Sequence, residues 1–179
     1  RMVRKWIDEE IEEALYFGAD GNTGDGIRFG ARLGGELAYM DSYQAHATVA
    51  YQTGALSTYA VVMNGGILVN EDGDRFGDES AGYSEYAIDV LKQPEGIAYE
   101  IFDEEIYDKL LGEFDDFDEA VDFGAYTSAD SIEELGAVLG FDGESARAAV
   151  ESYNEAVVAD EPDEVGRLDG RKVLEGPYY

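Results

Sequence analysis

Asn70-Glu71-Asp72-Gly73-Asp74-Arg75-Phe76-Gly77-Asp78-Glu79 is the stretch on which the reading of this chain turns. An apolar run, Gly66 to Val69, leads into it and closes on the Asp72-Gly73 pair, whose residue types suit a tight reversal. Arg75 and Phe76 follow at once, flanked by carboxylates. Arg75 can clamp a ligand carboxylate or pair internally with Asp72, Asp78 or Glu79, and the internal pairing is the favoured reading.

Upstream of this stretch, short strands are expected around Ser42 to Ala45 and Ser57 to Val62. Further back, Met2 to Tyr16 has the apolar spacing of an acidic amphipathic helix. A glycine-rich turn, Gly18 to Gly26, breaks it, and Asp25 can cap a second helix from Gly26 to Leu37. Downstream, a helix over Tyr83 to Leu91 is interrupted by Pro94-Glu95-Gly96 before an apolar strand, Ile97 to Phe102. The pattern then turns helical over Glu104 to Leu111, Asp116 to Asp122, Ile132 to Leu139 and Glu144 to Val158. Asp130 or Ser131 caps the third of these, and Asp142-Gly143 precedes the last. Glu161 to Arg171, polar and containing Pro162, reads as a surface connection, and Pro177-Tyr178-Tyr179 as the start of a strand. The order implies an α+β fold, a small mixed sheet with helices packed around it.

The 179 residues are 45% apolar and 12% aromatic, enough for a packed core and against wholesale disorder. Without cysteine there is no disulfide framework and no thiolate chemistry. No apolar run approaches the roughly 20 residues of a membrane helix. The opening Arg1-Met2-Val3-Arg4-Lys5-Trp6 lacks the apolar centre of a signal peptide and suits an excised or processed fragment.

Charge is the strongest global signal: 41 Asp and Glu against 12 Lys and Arg give a net charge of -29. The acids are spread along the chain rather than gathered in a tail. That favours a solvated face adapted to a salt-rich cytoplasm over an acidic patch for a basic partner. Such a surface is relieved when salt shortens the screening length to about 3 Å at 1 M. Nucleic-acid binding is disfavoured, because phosphate contacts need clustered Lys and Arg.

The residues suggest several candidate chemistries without naming a reaction. The glycine-rich turn before a helix can cradle an anion or simply cap the helix, and Asp25 favours a cap or a ribose hydroxyl over phosphate. His46 is the sole histidine, and Gln44, His46 and Thr48 alternate on one side of an extended segment. Tyr59, Tyr83 and Tyr86 are either core phenols or proton donors. No metal site and no Ser-His-Asp triad can be composed from these residues.

Several segments, taken in order, resemble the fumarate reductase/succinate dehydrogenase-like flavoproteins. Asn22-Thr23-Gly24-Asp25-Gly26-Ile27 is similar to that family's T-G-D-G-x element, and Gln44-Ala45-His46-Ala47-Thr48 to its Q-x-H-P-T segment, with Ala47 for proline. Asn70 to Glu79 resembles N-x-x-G-x-R-F-x-N-E with Asp78 for asparagine, Ala98 to Asp103 resembles A-Y-x-I-F-D, and Ser131 to Leu135 resembles T-I-E-E-L.

The resemblance covers only the middle of such proteins. It implies that residues 1–40 are the residual edge of an FAD-binding lobe and 41–179 a substrate-capping domain, whose partner is the missing lobe of the same parent chain. It further implies an FAD-dependent oxidoreductase moving a hydride between flavin and a small molecule under the cap. Thr23, Gly24, Asp25 and Gly26 would then touch the cofactor, while His46 and Thr58 would hold the substrate. The fragment alone is expected to be inactive and not to retain FAD.

Where the family carries a glutamate after that threonine, an arginine three residues on and a catalytic arginine further along, this chain has Tyr59, Val62 and Tyr83. Tyr59 or Tyr83 is therefore expected to move the proton. Because the similar 3-ketosteroid dehydrogenases use tyrosines, an enone substrate is the alternative. A non-catalytic acidic binding module is the other.

Overall fold

The computed structural model describes residues 2–7 and 9–179, which divide into two units meeting at Gln44 and Ala45. In the first unit, α1 (Met2–Trp6) is followed by a 3-10 turn, Glu10–Glu13, and by α2 (Asp25–Arg32). The expected single helix to Tyr16 is broken up; Asp8 lies outside the described residues. The run Glu9, Glu10, Glu12, Glu13 sets like charges three and four residues apart, which works against a continuous helix.

Gly24 occupies the cap position of α2 with a left-handed φ of 78°, so Asp25 is the first helical residue rather than the cap. The helix stops at Arg32, short of Leu37, where the Gly34-Gly35 pair follows with Gly34 at φ 88°. Neither α1 nor α2 buries a residue.

The second unit is built on β1 (Ile67–Val69) and β2 (Tyr99–Ile101), an antiparallel pair in the register Ile67 to Ile101, Leu68 to Glu100 and Val69 to Tyr99. All three β1 side chains are buried, Ile67 and Val69 in the main core and Leu68 in a smaller cluster with Tyr59, Val62, Tyr86 and Val90. Helices α3 (Ala60–Met63) and α4 (Ala87–Leu91) flank β1 in sequence. After β2 come α5 (Glu104–Leu110), α6 (Asp115–Asp122), α7 (Ile132–Leu139) and α8 (Gly143–Ala159). Helices around one small sheet give the α+β architecture expected from the sequence.

The helical half follows local signals. Ser131, rather than Asp130, caps α7 by accepting from Glu134 N at 3.2 Å. Asp142 caps α8 through Glu144 N and Ser145 N, both at 3.0 Å. α7 and α8 touch at glycines: a Cβ on Gly136 would lie 2.8 Å from the Gly143 Cα, and one on Gly143 would lie 2.7 Å from the Glu133 Cα. The chain ends in extended pairing, with Tyr179 N donating to Phe102 O at 2.8 Å and Tyr178 N to Ala129 O at 2.9 Å.

Three further expected elements differ. Ser57 to Val62 is not a strand; α3 begins at Ala60 and buries Val61 and Val62 in two different clusters. A short apolar run buried on all sides reads alike as strand or helix. Ser42 to Ala45 forms no strand, and the expected helix from Tyr83 starts only at Ala87. One cause is shared: Tyr83 O accepts from Ala47 N at 2.9 Å, so its carbonyl is not spent within a helix.

Candidate functional site

The segment carrying His46 is held at both flanks. Ala45 N donates to Ser84 Oγ at 3.1 Å and Ala47 N to Tyr83 O at 2.9 Å. These bonds lay the imidazole on the Tyr83 ring, with centroids 5.1 Å apart and planes at 22°. A bridge between Val49 and Leu56, with Ser57 N donating to Thr48 O at 3.1 Å, pairs the same segment with the approach to α3. Beyond Ser57 the chain turns into α3, with Tyr59 as its N-terminal cap residue. Tyr59 meets His46 edge-on at 5.9 Å and Tyr83 at 6.0 Å. His46, Tyr59 and Tyr83 thus form one aromatic cluster.

Thr48 fixes the state of the imidazole. Its N–H donates to His46 Nδ1 at 3.3 Å, and its hydroxyl donates to Ser57 O at 2.8 Å. A backbone N–H always carries its proton, so Nδ1 must be the bare nitrogen and the neutral ring keeps its proton on Nε2. Burial lowers the His46 pKa below the usual 6.5, opposed first by the hydrogen bond with the Thr48 backbone and then by the Asp116 charge. At neutral pH the ring is a neutral donor through Nε2, suited to a carbonyl or carboxylate oxygen.

The two tyrosines differ in availability. Tyr59 is buried and its hydroxyl donates to Glu79 O at 2.6 Å. Burial, then the charges of Glu79 and Glu100, raise its pKa well above the usual 10. Tyr83 is 39% exposed and is the accessible phenol of the cluster. Thr58 is buried and lies directly before Tyr59, with its carbonyl accepting from Val61 N at 3.1 Å. Tyr86 is core: its ring stacks on Phe76 and its hydroxyl donates to Gly77 O at 3.3 Å.

Arg75 pairs internally. It grips Glu79 with Nε at 3.0 Å and Nη2 at 2.6 Å, and reaches Asp163 with Nη1 at 2.7 Å. All three side chains are fully buried. Arg167, equally buried, donates to the carbonyls of Val62, Gly66 and Gly170 at 2.6, 2.8 and 2.6 Å and meets Glu79 at 3.3 Å. Glu161 to Arg171 is therefore not a mere surface connection. Asp163 Oδ1 also accepts from Arg167 N at 2.9 Å, closing the turn that brings both residues inward.

A second polar group escaped the sequence reading. Glu100, on β2, accepts from Ser57 Oγ at 2.7 Å, and Ser57 Oγ lies 2.9 Å from the Tyr126 hydroxyl. The only signal was a glutamate inside an apolar run.

In the first unit, Thr23 Oγ1 donates to Asp25 Oδ2 at 2.9 Å, and Arg28 pairs with Asp25 Oδ1 at 3.1 Å while also donating to Thr23 O. Nothing lies within 4 Å of a Cβ built on Gly26. The backbone there is open to close approach, beside an acceptor already balanced by a cation. Among the described residues no cluster of metal ligands occurs, and no helix is long and apolar enough to cross a membrane.

The model of the family described as FAD binding domain matches residues 2–179. The chain is 32% identical over 174 residues to "Fumarate reductase (cytochrome)" of Shewanella frigidimarina, covering 97% of this chain and 30% of that protein. It superposes on the open conformation of a flavocytochrome c3 fumarate reductase with a TM-score of 0.77 at 26% identity, covering 99% of this chain and 31% of the other. The fold alone is shared with a 3-ketosteroid-delta4-(5alpha)-dehydrogenase from Rhodococcus jostii RHA1, with a TM-score of 0.60 at 20% identity, covering 99% of this chain and 35% of that one. The chain thus spans about a third of the length of these relatives. Matched by the family model from residue 2 to residue 179 and similar in sequence and fold to fumarate reductases, it belongs to the FAD binding domain family.

Proposed function

We propose that this chain is the substrate-capping part of an FAD-dependent oxidoreductase, with residues 1–40 the edge of the flavin lobe and 41–179 the cap. The observation that carries the reading is the His46, Tyr59 and Tyr83 cluster, with a neutral imidazole bare at Nδ1 and protonated at Nε2. FAD would supply hydride chemistry beside Thr23, Gly24, Asp25 and Gly26, where the open backbone at Gly26 and the Thr23–Asp25 pair fit a hydroxyl-bearing edge of that cofactor. His46 Nε2–H then holds a substrate carboxylate or carbonyl, and Thr58 borders the same strand pair. Tyr83 moves the proton, being the phenol stacked on the imidazole and the more exposed of the two.

The exposed apolar residues of the first unit support a flavin-lobe partner. Leu15, Phe17, Phe29, Leu33 and Tyr39 are all more than half exposed, from 58% to 90%. So many large apolar side chains left in solvent within one 44-residue unit suit a covering partner. An enone is the second substrate class, favoured by the aromatic lining at His46; a dicarboxylate is the first.

The test is flavin absorbance and turnover. The polypeptide joined to its flavin lobe should be yellow and its reduced flavin should be reoxidised by an unsaturated carboxylate or an enone. This chain alone should be colourless. A joined polypeptide that holds no flavin would overturn the reading and leave a non-catalytic binding module.

A further inference from the structure

Among the described residues, Glu100 stands apart from the other carboxylates. One oxygen, Oε1, is sealed from solvent and has no hydrogen-bond partner, while Oε2 has Ser57 Oγ at 2.7 Å. Ser57 is itself buried and touches the Tyr126 hydroxyl at 2.9 Å, and Tyr126 is only half-buried, packed edge-on to Phe102 at 5.3 Å. Three exchangeable protons and four oxygens therefore run from a sealed carboxyl to the hydroxyl of the half-buried Tyr126. An unpartnered carboxylate oxygen in an apolar setting is costly, whereas the same oxygen in a neutral acid is tolerated.

We propose that Glu100, Ser57 and Tyr126 form a proton relay, with the proton stored on Glu100 and handed on at the Tyr126 hydroxyl. In the acid form, Glu100 Oε2–H donates to Ser57 Oγ and Ser57 donates to Tyr126. In the carboxylate form, Tyr126 donates to Ser57 and Ser57 to Oε2, so both hydroxyls reverse. One passage breaks three O–H bonds and makes three. The Glu100 proton goes to Ser57, the Ser57 proton to Tyr126, and the Tyr126 proton to water or a ligand oxygen, each oxygen keeping its electron pair. Glu100 is left as the carboxylate, and no atom is oxidised or reduced.

The surroundings suit a store that empties near neutrality. Burial raises the Glu100 pKa from 4.5 to about 7, partly opposed by the Ser57 bond. The groups facing it are acidic or neutral: the Tyr59 and Tyr126 phenols feel its charge, Glu79 lies behind Tyr59, and Asp116 lies beside Tyr126. Arg75 and Arg167 are engaged by Glu79 and Asp163. The relay also touches the candidate site, since the Ser57 carbonyl holds the Thr48 hydroxyl and Thr48 sets His46. The proposal goes beyond the flavin reading and needs no flavin for its test.

Carbon-13 NMR of this chain, labelled at glutamate carboxyls and tyrosine Cζ and titrated from about pH 5 to 9, decides it, with Glu100→Gln and Tyr126→Phe assigning the two signals. The Glu100 carboxyl should titrate near pH 7, and Tyr126 Cζ should shift with the same midpoint. Ser57→Ala should abolish the Tyr126 response and raise the Glu100 midpoint, and Ser57→Thr should restore both. A Glu100 midpoint in the ordinary carboxylate range overturns the proposal. A Tyr126 response that survives in a folded Ser57→Ala variant also overturns it, because the coupling would then be a field effect through space.

Discussion

The His46 imidazole lies on the Tyr83 ring, 5.1 Å between centroids and 22° between planes, so the site's one histidine and its accessible phenol form a single stacked pair. The stacking contact is made by the ring, whereas a proton is moved by the hydroxyl. Removing that hydroxyl and removing the ring should then have separable effects. In the flavin-loaded polypeptide, Tyr83→Phe should keep KM and lower kcat by about 100-fold, the usual worth of a positioned proton donor. Tyr83→Ala should also raise KM by loosening His46. Steady-state kinetics with both variants checks this; an unchanged kcat in Tyr83→Phe removes the phenol from the chemistry.

Arg75 is the hinge of the buried charge network. Arg75→Ala leaves Glu79 and Asp163 without their shared cation, and the expected cost is about 3–5 kcal/mol. Lysine should not rescue it, because one ammonium cannot replace the fork that binds Glu79 through two nitrogens and Asp163 through a third. Urea unfolding of the three proteins measures the difference. A loss below about 1 kcal/mol for Arg75→Ala would be the value of a surface pair and would contradict the buried network.

Stability should respond to pH through two groups of opposite sign. The raised Glu100 pKa means that the folded state holds more protons than the unfolded state between pH 4.5 and about 7, so stability falls as pH rises through that window. The lowered His46 pKa means that the folded state holds fewer protons below pH 6.5, so its contribution falls as pH drops below that value. Glu100→Gln separates them: it should stabilise the chain by about 2–3 kcal/mol at pH 8.5 and hardly at all at pH 5. Denaturant curves at the two pH values give the answer, and equal effects at both would contradict the assignment.

The net charge of -29 predicts a chain that salt stabilises. The melting temperature should climb steadily from about 0.1 M to 2 M KCl, since screening weakens repulsion first and hydration effects persist beyond it. Calorimetry in a KCl series tests this. A flat profile would mean that the acids are too well spaced to repel.

What the sequence revealed was the local part. Ser131 and Asp142 announced their helices, because a cap and the N–H groups it accepts from lie within three residues. The apolar runs around Ile67 and Tyr99 announced β1 and β2, although not their register. The ring cluster was half visible: His46, Tyr59 and Tyr83 were all singled out, but their stacking depends on Tyr83 O binding Ala47 N across the fold.

Arg75 reads plainly as a partner of Glu79, four residues away, and not at all as a partner of Asp163, which is 88 residues away. Glu100 was hidden for the same reason. Its seal is completed by Ser57, 43 residues earlier, and the Tyr126 partner of Ser57 is 69 residues from it. Short-range pattern carries no information on such pairs.

Arg167 clasps the Gly66 and Val62 carbonyls, 101 and 105 residues earlier, along with Glu79. In a chain made from its N-terminus at about 5–20 residues per second, the turn around Arg75 leaves the ribosome well before its last donor is synthesised. Until then Glu79 has one cation instead of two, and the Gly66 carbonyl lacks its Arg167 donor. A nascent chain stalled before residue 167 should therefore stay protease-sensitive around Arg75, however complete its helices are.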